Sequence, residues 1–413
     1  MMNAEVSLHP SAVHLRCSEP TCGTTADMSE RLLRCARCGD WLEVVLSPAP
    51  ADPAALIDVW WRRRLSRDPR DASGVWRFRE FLPAYPAEAI VTLQEGNTPL
   101  IDAPRSAALA GVRQLSFKHL GWNPTGSFKD AGMTVGVTQA KHVGAARVAC
   151  ASTGNTAASM AAYAARGGVA ARAYLPKGAV SAAKLAQTLD YGAEIVEVDG
   201  NFDAALNQML TGESRDEYVL NSVNPFRLEG QKTALFGMLE QLAWCPPDYV
   251  VLPGGNLGNV SAFGKGLQEL VVAGLVTQPP RLVVVQAEGA NPFVRLWRSG
   301  AAVLEPLADP QTAATAIRIG APCSWKKALR ALRFTNGTAV DVNEDEIANA
   351  KAAIGREGVG CEPASATTLA GVRKLTASGV IAPESTIVAI LTGHVLKDPD
   401  FIIRRLAGDR HEH

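Results

Sequence analysis

The sequence predicts a two-lobed α/β protein with a parallel or mixed sheet in each lobe and a small cysteine-rich module ahead of them. Three observations carry this. Short β-branched runs alternate with Ala/Leu-rich helical stretches, the pattern of βαβ units. The alternation comes in two series, Gln114 to Asn221 and Tyr249 to Gly393. Four of the eight cysteines, Cys17, Cys22, Cys35 and Cys38, crowd the start of the chain.

At 413 residues, with 47% hydrophobic and 20% charged, the chain has ordinary globular composition and room for about two to three domains. The expected division is a cysteine-rich module at 1–46, a large lobe from 47–130 and 233–413, and a small lobe at 131–232. Lys+Arg and Asp+Glu are both 41, so bulk electrostatics favour neither nucleic acid nor an anionic membrane. Aromatics at 6% are sparse for a base-stacking surface. No apolar run reaches the ~18 residues that span a bilayer. The first residues lack a basic segment followed by an apolar one. The expected location is the cytoplasm, where thiols stay reduced.

The quartet is spaced C-x4-C-x12-C-x2-C, with Gly after Cys22 and after Cys38. Glycine at such knuckles lets backbone amides turn toward sulfur, and four thiolates close a tetrahedral zinc shell. The alternative is a reduced remnant that holds no metal. The module is too short to bury a core alone, so metal or docking must hold it. Next comes VWWRRRLSRDPRD, read as a helix with a solvated basic face, and then the turn-rich EGNTPL.

The body follows in order. QLSFKHL is a strand and MTVGVTQAKHVG a helix. The pairs RVACAS with NTAASMAAYAARGG, ARAYLP with SAAKLAQTLDYG, and EIVEVD with NFDAALNQMLTGE repeat the theme before the strand YVLN. The second series holds YVVLP, SAFGKGLQELVVAG, RLVVVQAE and STIVAILTG.

Chemistry concentrates in loops, at the strand ends where open α/β sheets bind ligands. In GWNPTGSFKDAG, Pro and Gly set a turn ahead of Lys129; a plain loop lysine is the bland alternative. CASTGNTAAS leads small hydroxyl residues into a helix start, which suits a carboxylate, although one cap residue would suffice for structure. LPGGNLGNVSAFGKG is a main-chain phosphate cradle. Its spacing fits neither a P-loop nor G-x-G-x-x-G, so the phosphate belongs to a smaller cofactor. In LTGHVLKDPD, Thr392 offers a neutral hydroxyl at a strand tip, able to bond a ring nitrogen. A framed lysine, a phosphate cup, an anion-binding helix start and that hydroxyl together match pyridoxal 5′-phosphate: lysine forms Schiff bases with carbonyls, and this cofactor is an electron sink. Hydrolase and metalloprotease motifs are absent from the sequence.

In these motifs the chain resembles the threonine synthases, fold-type II pyridoxal-phosphate enzymes of the tryptophan synthase β group. EGNTPL, NPTGSFKD, ASTGNTAAS, NSVNPFRLEGQKT, GGNLGN, EGANPF, TAIRIGAP, CEPASA and TGH-LKDPD follow the family's order from Glu95 onward. Some members also carry an N-terminal cysteine-rich ribbon. The resemblance implies that Lys129 bonds the cofactor's aldehyde, with Phe128 beside it, and that Asn155 meets its phenolic oxygen. It implies that Gly254, Gly255, Asn256, Leu257 and Gly258 wrap its phosphate and that Thr392 meets its pyridine nitrogen. Ser152, Thr153 and Thr156 would hold the substrate's carboxylate, and Asn221, Ser222, Arg227 and Asn259 its phosphate. The implied reaction turns O-phospho-L-homoserine and water into L-threonine and phosphate in a homodimer. Three departures lie near this site: Ala131 where Arg is usual, Val395 after TGH, and Leu120 with Trp122 ahead of NPTGSFK. They leave room for a paralogue that acts on O-phosphoserine or another amino acid, or for a silent binding protein.

Overall fold

The computed structural model describes residues 12–47, 52–177, 182–200, 202–211 and 216–408. The cysteine-rich module is an antiparallel ribbon of β1 (Ala12–Cys17), β2 (Thr25–Ala26) and β3 (Leu42–Ser47), in the order β2-β1-β3. Strands β4 (Leu100–Asp102) and β5 (Gln114–His119) begin the body. Strands β6 (Arg147–Ala151), β7 (Ala170–Pro176), β8 (Glu194–Val198) and β9 (Glu217–Val219) form a parallel sheet in the order β8-β7-β6-β9. Then come β10 (Tyr249–Pro253), β11 (Arg281–Ala287), β12 (Thr338–Val342) and β13 (Thr386–Leu391). They join β5 and β4 in a sheet ordered β12-β11-β10-β13-β5-β4, parallel except for antiparallel β4. The expected two α/β lobes are therefore present, one sheet mixed and one parallel.

Apart from the edge strand β4, the strands of the larger sheet are buried on both faces, as a parallel sheet covered by helices requires. Their period of two divides the side chains between two cores. Val251, Val283, Val285 and Ile387 enter one apolar cluster, and Val250, Leu252, Val284 and Ile390 enter the other. Among the described residues no helix is long and apolar enough to cross a membrane.

Only the start of the Trp/Arg run, to Arg63, lies in the helix Pro53–Arg63, capped by Asp52; the rest leaves it and ends in the short helix Pro69–Ala72. The run's expected solvated face is only partly so. Arg62 pairs with Asp58 in the open, whereas Arg63 turns inward onto Glu80 at 2.5 Å. Trp60, fully buried, donates to the same carboxylate at 2.8 Å. A buried carboxylate needs such partners, and the run supplies them.

The ribbon docks on the body. Leu15, Leu42 and Val44 share an apolar cluster with Trp76, Val135 and Phe226. Around that cluster Arg31 donates to the carbonyls of Val143 and Gly144 at 2.8 and 2.9 Å, and Gln139 donates to Met28 O at 2.6 Å. From the other lobe Lys326 reaches Asp40 at 2.6 Å, Lys327 reaches Leu42 O at 2.9 Å and Arg330 reaches Ser18 O at 2.9 Å. A module too small for its own core thus borrows one.

Candidate active site

Four loops converge at the carboxyl ends of β5, β6, β10 and β13. The β5 loop ends at Lys129, first residue of the helix Lys129–His142. Its frame is a set of buried polar contacts. Asp130, fully buried, accepts from Thr125 N at 2.7 Å and from the hydroxyls of Thr125 and Ser159 at 2.5 Å each. Burial pushes its carboxyl up to about 6, against those three donors. Asn123 Oδ1 accepts from Gly96 N at 2.8 Å, which ties the loop to EGNTPL. Within that motif Glu95, fully buried, accepts from Ser73 Oγ at 2.5 Å and Tyr163 OH at 2.8 Å.

The same loop is stitched to the tip of β13. Phe128 N donates to Thr392 O at 2.9 Å, and His394 N donates to Gly126 O at 2.9 Å. The Lys129 amine sits 4.2 Å from the centroid of the Phe128 ring. Burial, and then the Arg227 cation, push its pKa down to about 7, while Glu362 partly opposes them. An amine that is about half unprotonated near pH 7 is both a nucleophile toward an aldehyde and a proton carrier.

Glu362 is the residue that the sequence reading missed, although CEPASA contains it. It is 3% exposed and accepts from Asn155 Nδ2 at 2.9 Å and Thr392 Oγ1 at 2.8 Å. It therefore joins the two side chains assigned to the phenolic oxygen and the ring nitrogen of one planar ring. Burial raises its pKa above the usual carboxylate range. Ser365 completes the tip, with its hydroxyl 2.9 Å from Thr392 Oγ1 and accepting from Thr392 N at 2.8 Å. Gly393 carries no side chain because a Cβ there would overlap the Glu362 carboxylate.

After β10, residues 254–257 form a turn into the helix Gly258–Val272, with Leu257 at φ 63°. Gly254 presses on the sheet: a Cβ would lie 2.7 Å from Val284 Cγ1 and 2.8 Å from Gln286 Cγ. The first-turn N–H groups of that helix have no intrahelical partner and carry the positive end of its dipole, a ready phosphate site.

A second anion pocket adjoins it. Arg227 is fully buried; its Nη1 donates to Leu220 O at 2.9 Å, while Nε and Nη2 are buried without a partner. Burial lowers its pKa to about 10, so it stays a cation at neutral pH. Asn259 is 7% exposed, and neither atom of its amide has a partner. Ser222 is also near Gly258, its Cβ 3.8 Å from where a Cβ on that glycine would sit. Buried polar atoms left unpaired by the protein are paired by something else.

Asn221, assigned to the same pocket, has its amide in use. Its Nδ2 donates to Ala151 O at 2.9 Å and its Oδ1 accepts from Ala151 N at 3.0 Å, which aligns the end of β6. Ser152, Thr153 and Thr156 stand half-buried around the start of the helix Asn155–Gly167, with Ser152 Oγ accepting from Gly154 N at 3.2 Å. Lys397, also unassigned by the sequence, crosses from the β13 tip to Gln187 of the small lobe.

The departures fall mostly into packing. Leu120 is 2% exposed within the core of the large lobe. Ala131 lies in the cluster beneath the ribbon, where a long cation would have no room. Val395 fills the space that a side chain on Gly360 would need. Trp122 alone is exposed, its ring 6.0 Å from His119.

In the ribbon the four cysteine sulfurs lie within 4.8 Å of one another. Cys17 and Cys38 are 3.3 Å apart and Cys22 and Cys35 3.7 Å apart, all as free thiols. Gly23 and Gly39, at φ 69° and 75°, make the two knuckles, and Arg37 N donates to Cys35 Sγ at 3.4 Å. This is the donor set of a closed four-thiolate metal site.

Comparison with known proteins agrees with this geometry. Residues 91–393 match the family described as pyridoxal-phosphate dependent enzyme. The threonine synthase of Methanosarcina acetivorans is 44% identical over 392 residues, 94% of this chain and 93% of that protein. That of Methanocaldococcus jannaschii is 44% identical over 385 residues, 93% of each. Among solved structures, threonine synthase from Escherichia coli superposes with a TM-score of 0.69 at 17% identity, covering 95% of this chain and 91% of that one. Maize serine racemase gives a TM-score of 0.63 at 21% identity, covering 76% of this chain and 94% of its own. At such identities the two structures speak for the fold alone. With a family model that matches residues 91–393 and relatives this similar along nearly its whole length, the chain belongs to the pyridoxal-phosphate-dependent enzyme family, among the threonine synthases.

Proposed function

We propose that the chain converts O-phospho-L-homoserine and water to L-threonine and inorganic phosphate. The observation that carries this is Arg227, a fully buried cation with two unspent donors, close enough to Lys129 to depress its pKa. Such a group asks for an anion on the substrate itself, beyond the cofactor phosphate that the glycine turn serves.

The residues fit pyridoxal 5′-phosphate: Lys129 for the aldehyde, Asn155 and Thr392 for the ring, and Gly254 to Gly258 for the phosphate. When bound, it supplies a sink for the electrons left by breaking substrate C–H bonds. Lys129 carries the Cα proton, a task suited to an amine with a pKa of about 7. Ser152, Thr153 and Thr156 orient the substrate carboxylate at the helix start. Arg227, Asn259 and Ser222 hold the phosphate as loss of a Cβ proton expels it from Cγ. A proton is delivered to Cγ, water adds its hydroxyl at Cβ, and a proton returns to Cα.

A coupled phosphate-release assay across O-phosphohomoserine, O-phosphoserine, serine and threonine tests the reading. Phosphate and threonine in equal amounts from O-phosphohomoserine alone are expected; turnover confined to O-phosphoserine would replace it. Glu362→Ala should weaken cofactor affinity about tenfold or more, because both Asn155 and Thr392 lose the acceptor that orients them. Absorbance titration of the cofactor-free protein measures this.

The ribbon cysteines are assigned a structural zinc. A zinc–sulfur distance of about 2.3 Å sets tetrahedral sulfurs roughly 3.8 Å apart, close to the spacings in the ribbon. About one equivalent of zinc per chain is expected. Its removal by chelator should lower Tm by several degrees, since the ribbon shares a core with both lobes. Zinc content below half an equivalent in protein purified without chelator would contradict the assignment. The same kinship supports a homodimer in the cytoplasm, which light scattering and cell fractionation would check.

A further inference from the structure

We propose that Gln231 is a further substrate-binding residue, its side-chain amide completing the pocket for the substrate's phosphate; the inference rests on the function proposed above. Gln231 stands one helical turn after Arg227 on the helix Pro225–Gln241, so the two share a face. It is 3% exposed, and its Oε1 is buried without a partner.

Two glycines locate the amide. A Cβ on Gly132, in the first turn of the Lys129 helix, would lie 3.1 Å from Gln231 Nε2 and 3.0 Å from Arg227 O. A Cβ on Gly258, at the end of the phosphate turn, would lie 3.8 Å from Gln231 Oε1. The amide thus spans the gap between the lysine helix and the glycine turn, on the side of Gly258 that Ser222 also reaches.

Its neighbours carry further unpaired atoms, Arg227 one turn earlier on the helix and Asn259 next to Gly258. Arg227 Nε and Nη2, Gln231 Oε1, and Asn259 Oδ1 and Nδ2 are all buried with no protein partner. Native proteins leave so many buried polar atoms together where a ligand pairs them. The set mixes donors with acceptors. A phosphate monoester uses both, taking N–H donors on its anionic oxygens and offering a proton when singly protonated. A primary amide suits either role, because turning its terminal bond exchanges oxygen for nitrogen. A pocket meant only for a fixed dianion would need no acceptor.

The test uses the full-length enzyme with its cofactor and two variants, Gln231→Ala and the nearly isosteric Gln231→Glu. Three quantities are read: KM for O-phosphohomoserine, the inhibition constant of inorganic phosphate, and cofactor affinity by absorbance titration. Both variants should raise the first two by about tenfold to a hundredfold, as loss of a hydrogen bond to a charged group does. Gln231→Glu should be the worse, since its carboxylate repels the anion. Cofactor affinity should hold in both. Unchanged phosphate inhibition in both variants overturns the assignment while leaving the wild-type activity reading intact. Weakened cofactor affinity with unchanged phosphate inhibition overturns it too, by giving Gln231 to the cofactor's phosphate. A wild-type enzyme that neither turns over O-phosphohomoserine nor is inhibited by phosphate removes the pocket and the function together.

Discussion

Lys129→Ala should lower turnover by about 10³-fold or more, because one substitution removes both a nucleophile and a proton carrier. The variant should still fold. Lys129 opens its helix, and the buried contacts that set the loop belong to Asp130, Thr125 and Asn123. Circular dichroism should therefore be unchanged while the absorbance of bound cofactor shifts to that of the free aldehyde. The wild type should also show a pH signature. An ordinary lysine near pH 7 is unprotonated to only about one part in 10³, whereas the depressed pKa of about 7 leaves half of the Lys129 amines free there. Below that pH the amine is protonated and unreactive. The rate at which cofactor-free protein captures the aldehyde should rise with pH up to about 7 and then level. A rise that continues to pH 10 would mean that a solvated lysine does the work.

Arg227→Ala should lower kcat/KM for O-phosphohomoserine by about 10²- to 10⁴-fold, the loss of two charge-assisted hydrogen bonds in a buried site. Cofactor content should persist, since the ring and phosphate contacts proposed above lie on Lys129, Asn155, Thr392 and the turn after β10. Arg227→Lys should fall between the two, because a point charge cannot reproduce the planar fork. A second effect separates this role from a structural one. Arg227 helps to depress the Lys129 pKa, so its removal should move the pH dependence of aldehyde capture toward alkaline values. If Arg227→Ala changes neither KM nor that pH dependence, the pocket is misassigned.

Much of this was legible in the sequence for a simple reason. Parallel strands bring their carboxyl ends to one edge, so hydroxyl- and glycine-rich loops that follow β-branched runs must meet there. The frame of Lys129 was legible as turn chemistry, though the buried Asp130 that enforces it was not. Glu362 escaped because its role is tertiary: 30 residues separate it from Thr392, and only burial makes it the acceptor between two loops. The helix that follows it, Pro363–Ala377, is buried at every position from Pro363 to Val372, so no polar face marks its period. Strand β4 has three residues, too few for alternation to show, and β12 carries Asp341, which faces Arg298 at 2.7 Å. The assignment of Asn221 to phosphate and its observed bonds to Ala151 differ for a related reason: a motif names an amide without saying which way it turns. The docking of the ribbon was equally hidden, because its partners are side chains and carbonyls far along the chain, from Trp76 to Arg330.

The most direct test is covalent. Active enzyme is treated with borohydride, digested, and the peptide that carries the cofactor is sequenced by mass spectrometry. The account predicts the reduced cofactor on the ε-nitrogen of Lys129, in the peptide containing NPTGSFK. Cofactor found on another lysine, or active enzyme carrying none on Lys129, would contradict it.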